Sequence, residues 1–147
     1  ANNPAGGSQY LEHEIIDGGF LQWIINGLID AMEPRFTSSI RIYDRTVRGK
    51  APGGMGYYRY NNDGYGVDHV GRVWPLLSGE RAIAAIERGE DPSEHISVLM
   101  NNIAPSEVLC EQTEISACPL GWAHASVLIT QKSLQDRKSF YKYQFQK

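Results

Sequence analysis

A chain of 147 residues that is 41% hydrophobic and 21% charged has the make-up of one globular domain, able to bury a core, and neither a disordered nor a fibrous bias. Its net charge of -3 and pI near 5.8 offer no basic surface for phosphates, and no stretch approaches the roughly eighteen apolar residues of a membrane span. Nucleic acid and a bilayer are set aside as partners on these grounds.

Ala1 stands in place of an initiating Met, and Ala1 to Ser8 is small and polar, so the chain reads as a processed or trimmed product with more sequence upstream or on another chain. Phe20, Leu21, Ile24, Ile25, Leu28, Ile29 and Met32 then form a wide apolar stripe, predicting a first helix that stops at Pro34. After Thr37, Ser38 and Ser39, which can cap, Ile40, Ile42, Tyr43 and Val47 predict a second helix with one face in water. Residues 49–72 mix seven glycines with four tyrosines and read as one long loop, a length that compact domains reserve for function. A third helix is predicted from Pro75 to Gly89, and a fourth from Asp91 and Pro92 up to Pro105. A fifth is predicted from Pro119 through Trp122 and Ile129. No segment shows the alternation of a strand, so the expected class is all-α. Helices one, three and five are the more apolar, which predicts an inner and outer alternation of hairpins. Five such helices form an open arc, whose bare ends and inner face predict a covering partner.

Three constellations carry chemistry. In Tyr58-Arg59-Tyr60-Asn61-Asn62-Asp63-Gly64-Tyr65-Gly66, a guanidinium fork and a carboxylate four residues apart can grip vicinal hydroxyls, while tyrosines offer flat faces to a sugar ring. The same loop also reads as an internal salt bridge among packed tyrosines. In Gly71-Arg72-Val73-Trp74-Pro75-Leu76-Leu77-Ser78-Gly79-Glu80-Arg81, Trp74 either packs in the core or faces a cavity. In Cys110-Glu111-Gln112, ahead of Pro119-Leu120-Gly121-Trp122-Ala123-His124-Ala125, Glu111 is a candidate general base. The alternative is that Glu107, Glu111 and Glu114 solvate a turn. Trp122 and His124 lie two apart and cannot share a helix face, so one of them is expected to pack.

Cys110 and Cys118 are the only cysteines, too few for a disulfide framework and without the paired spacing of a zinc site. In an exported protein they can bridge; otherwise they are two buried thiols. No metal and no cofactor are expected. No Ser-His-Asp order, GxSxG elbow, phosphate loop or HExxH occurs, which removes support for nucleophilic hydrolases, nucleotide enzymes and zinc proteases.

Taken in order, these segments resemble glycoside hydrolase family 15, above all its bacterial glucoamylases and glucodextranases. Tyr58 to Gly66 is similar to the family's RYNxDGYG loop and Gly71 to Arg81 to its GRxWPLLxGER helix start. Glu111-Gln112 resembles its base-bearing EQ turn, and Pro119 to Ala125 its PLxWAHA helix. The similarity runs from about residue 17 to about 130, with a less distinctive Tyr141-Lys142 tail. The resemblance implies the last five helices of an (α/α)6 barrel, residues 1–147 being the C-terminal portion of such a catalytic domain. It further implies inverting release of β-glucose from the non-reducing ends of an α-glucan or α-glucoside. Glu111 takes the base position, Arg59, Asp63, Tyr60 and Trp74 fall on substrate-holding positions, and the general acid belongs to a larger partner chain. A secreted or periplasmic location is implied as well. The stretches from Asp63 to Trp74 and from Glu111 to Trp122 are shorter than in bacterial members, and Cys110 stands where a serine is usual, so linkage preference stays open. Two rival readings are a non-catalytic sugar- or protein-binding module, as in regulatory subunits of phosphorylase kinase, and an all-α interaction domain.

Overall fold

The computed structural model describes residues 10–65, 71–113 and 116–140; Ala1 to Ser8, Gly66, Glu114 and the Tyr141-Lys142 tail lie outside the described residues. In chain order it contains α1 (Leu21–Ile25), α2 (Pro34–Thr46), β1 (Arg48–Ala51), β2 (Gly54–Tyr57), α3 (Pro75–Arg88), α4 (Ser93–Asn101) and α5 (Gly121–Asp136). Helix α3 is the hub, packed against α1 on one side, α5 on the other, and α4 behind. The predicted alternation is visible in this order, with α1, α3 and α5 adjacent and α4 and the strand pair on the outside.

Two expectations are corrected. The first helix does not run to Met32: it ends after Ile25, because Gly27 adopts φ 69 and the Leu28 and Ile29 amides turn back to the Trp23 carbonyl. Leu28 and Met32, placed on the buried stripe by periodicity, are exposed. Pro34 then opens α2 instead of closing α1, since a proline at the first helical position forfeits only an amide that is unpaired there anyway. Its cap is Glu33, which accepts from the Arg35 amide, whereas Ser38 and Ser39 bond back to the Pro34 and Arg35 carbonyls.

The second correction concerns residues 49–72, where β1 and β2 form an antiparallel hairpin pairing Arg48 with Tyr57 and Ala51 with Gly54. The turn needs Gly53 at φ 88 and lies so close to Ser97 that a side chain there has no room. The hairpin is bolted inward by Tyr57, whose ring stacks on Tyr43 at 4.9 Å and whose hydroxyl donates to Asp44 Oδ1 at 2.8 Å. Arg81 forks onto the same Asp44 carboxylate and reaches Glu90. Leu21, Ile24, Ile25, Ile40, Tyr43, Tyr57 and Ile83 make the main core. Leu99, Leu109 and Ala123 make a second cluster under α4 and α5.

Helix α3 follows its signals: Pro75 starts it, and Gly89, at φ 66, terminates it. Helix α5 begins at Gly121, two residues after the predicted Pro119. Trp23, Leu28 and Met32 around α1, and Trp122, Leu128 and Leu134 on α5, leave large apolar side chains in solvent. Among the described residues no helix is long and apolar enough to cross a membrane.

Candidate functional site

The loops bearing the predicted residues converge on the starting ends of α1, α3 and α5. Residues 14–17, which lead into α1, pair with the arginine loop: Asn61 donates its amide to the Ile16 carbonyl at 3.2 Å and its side-chain nitrogen to the Glu14 carbonyl at 2.9 Å. Gly71 closes the other end of that loop against the Asp63 carbonyl, leaving no room for a Cβ.

Within the loop, Arg59 donates Nε to Asp63 Oδ2 at 3.2 Å and Nη2 to Asp63 Oδ1 at 2.9 Å, a two-pronged pair. The Asp63 carboxylate is 1% exposed, whereas the Arg59 side chain is 34% exposed. Asp63 Oδ1 also accepts from the Tyr65 amide at 2.9 Å. The guanidinium is enclosed by rings, with its carbon 4.8 Å from Tyr60, 4.7 Å from Tyr65 and 5.6 Å from Trp74. Partial burial opposes the Arg59 charge, but the Asp63 hydrogen bonds and charge outweigh it and raise the Arg59 pKa. The result is a fixed cation in an aromatic bowl, with one side open. Trp74 is buried at the head of α3, its amide donating to Tyr57, and among the described residues its indole Nε1 has no acceptor. Trp74 therefore packs in the core, with its ring bordering the Arg59 guanidinium.

Glu111 is half-buried on a closed turn between Leu109 and Leu120. The Glu111 amide donates to Ala117 and the Leu120 amide to Leu109, each at 2.8 to 2.9 Å. Between these rungs Cys110 and Cys118 are joined by a disulfide, their Cα atoms 4.3 Å apart. The turn is anchored to the aromatic bowl on its far side. Gln112, 1% exposed, donates Nε2 to the Tyr65 carbonyl at 3.1 Å, and the Thr113 amide donates to the Val73 carbonyl at 2.8 Å. His124 secures it from α5, its Nε2 accepting from the Leu109 amide at 2.9 Å. Of the Trp122 and His124 pair, it is His124 that packs; Trp122 is 59% exposed.

The structure thus brings Arg59, Asp63, Tyr60 and Trp74 into one cluster, and hydrogen bonds of the next two residues tie the Glu111 turn to it. Among the described residues no cluster of His, Cys, Asp and Glu is arranged to hold a metal.

A cavity of about 310 Å³ lies between the first halves of the three helices, its wall beginning at Leu76 and Trp122, two residues past Trp74 and Leu120. Gln22 and Ile25 of α1, Leu76, Glu80 and Ile83 of α3, and Trp122 of α5 form most of its wall. Sequence reasoning missed Gln22, Glu80, Gln112 and Trp122. A signal existed for Glu80: Leu76, Glu80 and Ile83 recur at i, i+4 and i+7, so an acidic residue sits on an otherwise apolar helical stripe. Burial pushes the Glu80 carboxyl up to about 7, against the opposing hydrogen bond from Gln22 Nε2 at 2.8 Å.

No family model matches the chain. It is 33% identical, over 140 aligned positions, to a curated protein described as a glucoamylase from Clostridium sp. (strain G0005), the match taking in 84% of this chain. In three dimensions it is similar to a bacterial glucoamylase solved in complex with acarbose, with a TM-score of 0.81, 29% identity and 94% of this chain covered. The chain spans 20% of the length of the first protein and 24% of the second. That neighbour is an (α/α)6 barrel, so the helices described above are an arc of such a barrel carrying a small hairpin.

Proposed function

Taking as premise that this chain is a homologue of one segment of the bacterial glucoamylases, we propose that it is the C-terminal portion of an inverting, exo-acting α-glucoside hydrolase of glycoside hydrolase family 15. In this reading it supplies the general base and half of a glucose pocket. The observation that carries the reading is the joining of two loops: the Arg59-Asp63 pair in its aromatic bowl, and the Glu111 turn hydrogen-bonded to Tyr65 and Val73.

An inverting glycosidase places a protonated acid on one side of the scissile bond and a carboxylate about 6.5 to 9.5 Å away on the other, with a water between. Glu111 is the carboxylate. It takes the proton from the water that attacks the anomeric carbon while the leaving oxygen is protonated by an acid outside this chain. Arg59 grips sugar hydroxyls, since a guanidinium in a two-pronged pair still has N–H donors on its exposed side, and the buried Asp63 carboxylate holds it in place. Tyr60, Tyr65 and Trp122 offer apolar faces to the ring, and the neighbouring cavity has the volume for a pyranose. The acid and the remainder of the barrel come from a larger chain or fragment, which covers the exposed Trp23, Leu28 and Leu128. The disulfide and the glucoamylase relative agree with a secreted or periplasmic protein.

The test is proton NMR of the first sugar released from maltose by the assembly containing this chain. β-Glucose is expected at early times, before mutarotation. Initial α-glucose, or no hydrolysis of any α-glucoside, rejects the assignment.

A further inference from the structure

The cavity beside the site has one ionisable side chain in its wall, Glu80. One of its oxygens, Oε1, is occupied by Gln22, which is itself held by Asn26, whose Nδ2 donates to Gln22 Oε1 at 3.2 Å. Its second oxygen has no partner among the described residues. Among the described residues no cation lines the cavity with it: α1 presents Gln22 and Ile25, α5 presents Trp122, Ala125, Ser126 and Ile129, and Leu76 and Ile83 flank it on α3. From α2 the titratable group within reach is Tyr43, whose burial keeps its hydroxyl un-ionised. A carboxylate in such surroundings has one amide donor and apolar walls, whereas the protonated acid has what the cavity lacks, a hydrogen-bond donor beside an acceptor.

We propose that Glu80 is a sugar-contacting residue of this site, holding its carboxyl proton toward the cavity and donating it as an O–H to a hydroxyl of the bound pyranose. The assignment rests on the carbohydrate reading above and extends it to a residue on the inner face of α3. Burial holds the carboxyl proton up to about pH 7, with the Gln22 hydrogen bond as the opposing influence. The donor is therefore present in mildly acidic solution and lost through neutrality. Gln22 holds one oxygen of the Glu80 carboxyl, and Trp122, which lines the same cavity, supplies the ring face.

The experiment is calorimetric titration of maltose and methyl α-D-glucopyranoside into the native assembly, in a Glu111→Gln background that slows turnover, from about pH 5.5 to about 9, bracketing the titration of a raised carboxyl. With Glu80 present, affinity is expected to fall about two- to tenfold across neutrality, the worth of one hydrogen bond. Glu80→Gln keeps the size, accepts from Gln22 and presents a neutral donor at every pH, so its affinity should be flat. Glu80→Ala should bind about two- to tenfold more weakly already at the acidic end. If parent and Glu80→Gln share one pH profile, or Glu80→Ala binds as tightly as the parent, the Glu80 assignment is wrong while the carbohydrate reading stands. If neither sugar binds at any pH, the carbohydrate reading falls and Glu80's role falls with it.

Discussion

Gln112 Nε2 donates to the Tyr65 carbonyl at 3.1 Å across 47 residues of sequence, joining the turn that carries Glu111 to the loop that carries Arg59 and Asp63. Because Gln112 is 1% exposed, the bond is shielded from water and both partners depend on it. Gln112→Ala empties a buried site and leaves a carbonyl unpaired, so it should destabilise the chain by about 2 to 4 kcal/mol in urea melts of the assembly. A loss under about 0.5 kcal/mol, the size of an ordinary surface change, contradicts the anchoring role.

Arg59→Ala strips Asp63 of its two-pronged partner while the carboxylate stays 1% exposed. An uncompensated carboxylate has to take up a proton or draw in water. KM for an α-glucoside should rise by about tenfold or more, with a smaller change in kcat, since the hydrogen bonds removed are already made in the ground state. Arg59→Lys should recover little, as an ammonium cannot form the fork. Steady-state kinetics on both variants decide the point, and an unchanged KM in Arg59→Ala excludes a substrate contact there.

The disulfide between Cys110 and Cys118 closes a short loop around Glu111, for which chain entropy gives about 2 to 3 kcal/mol. Denatured, unreduced protein should therefore show no free thiol. Reduction should lower the melting temperature by several degrees, by the usual scaling of stability to Tm. Two titratable thiols would show the pair unbridged.

The buried His95 and the partly buried Glu80 set opposing pH slopes. Desolvation lowers His95, packed against Tyr57 and near Arg81, to about 4, so its folded pKa lies below the unfolded value. The unfolded chain then binds the extra proton, and stability falls as pH drops from about 6.5 toward 4. Burial raises Glu80 to about 7, so the folded chain holds the extra proton, and stability falls as pH rises from about 4.5 to 7. Glu80→Gln should remove the second slope and gain up to about 3 kcal/mol near neutrality and above, with little gain at pH 4. His95→Gln should flatten the acid limb instead. Chemical melts of both variants over this range are the check, and parallel curves for Glu80→Gln and the parent count against the buried proton.

Much of the fold was legible where one physical signal dominated. Helix α3 is bracketed by Pro75 and Gly89, and of the two readings open for the Arg59 and Asp63 spacing, a grip on hydroxyls or an internal salt bridge, the structure shows the salt bridge. Helix α1 was overdrawn because the apolar stripe continues past Gly27, and periodicity does not register a left-handed glycine. The hairpin escaped because β1 and β2 have four residues each, glycine-rich and without alternation, and are held by Tyr57 and Asp44 rather than by strand pattern. Gln112 pairs with a backbone carbonyl 47 residues away, which no local spacing encodes. Glu80 was readable on its stripe, yet only the packing of α1 and α5 against α3 shows that its neighbours leave it a cavity.

Glu111→Gln tests the central claim most directly, because it keeps the shape of the side chain and removes only its basicity. In the assembly containing this chain, kcat on maltose should fall by about 10² to 10⁴, the usual worth of a positioned base, while KM stays within about threefold. Near-full turnover of Glu111→Gln would contradict the account.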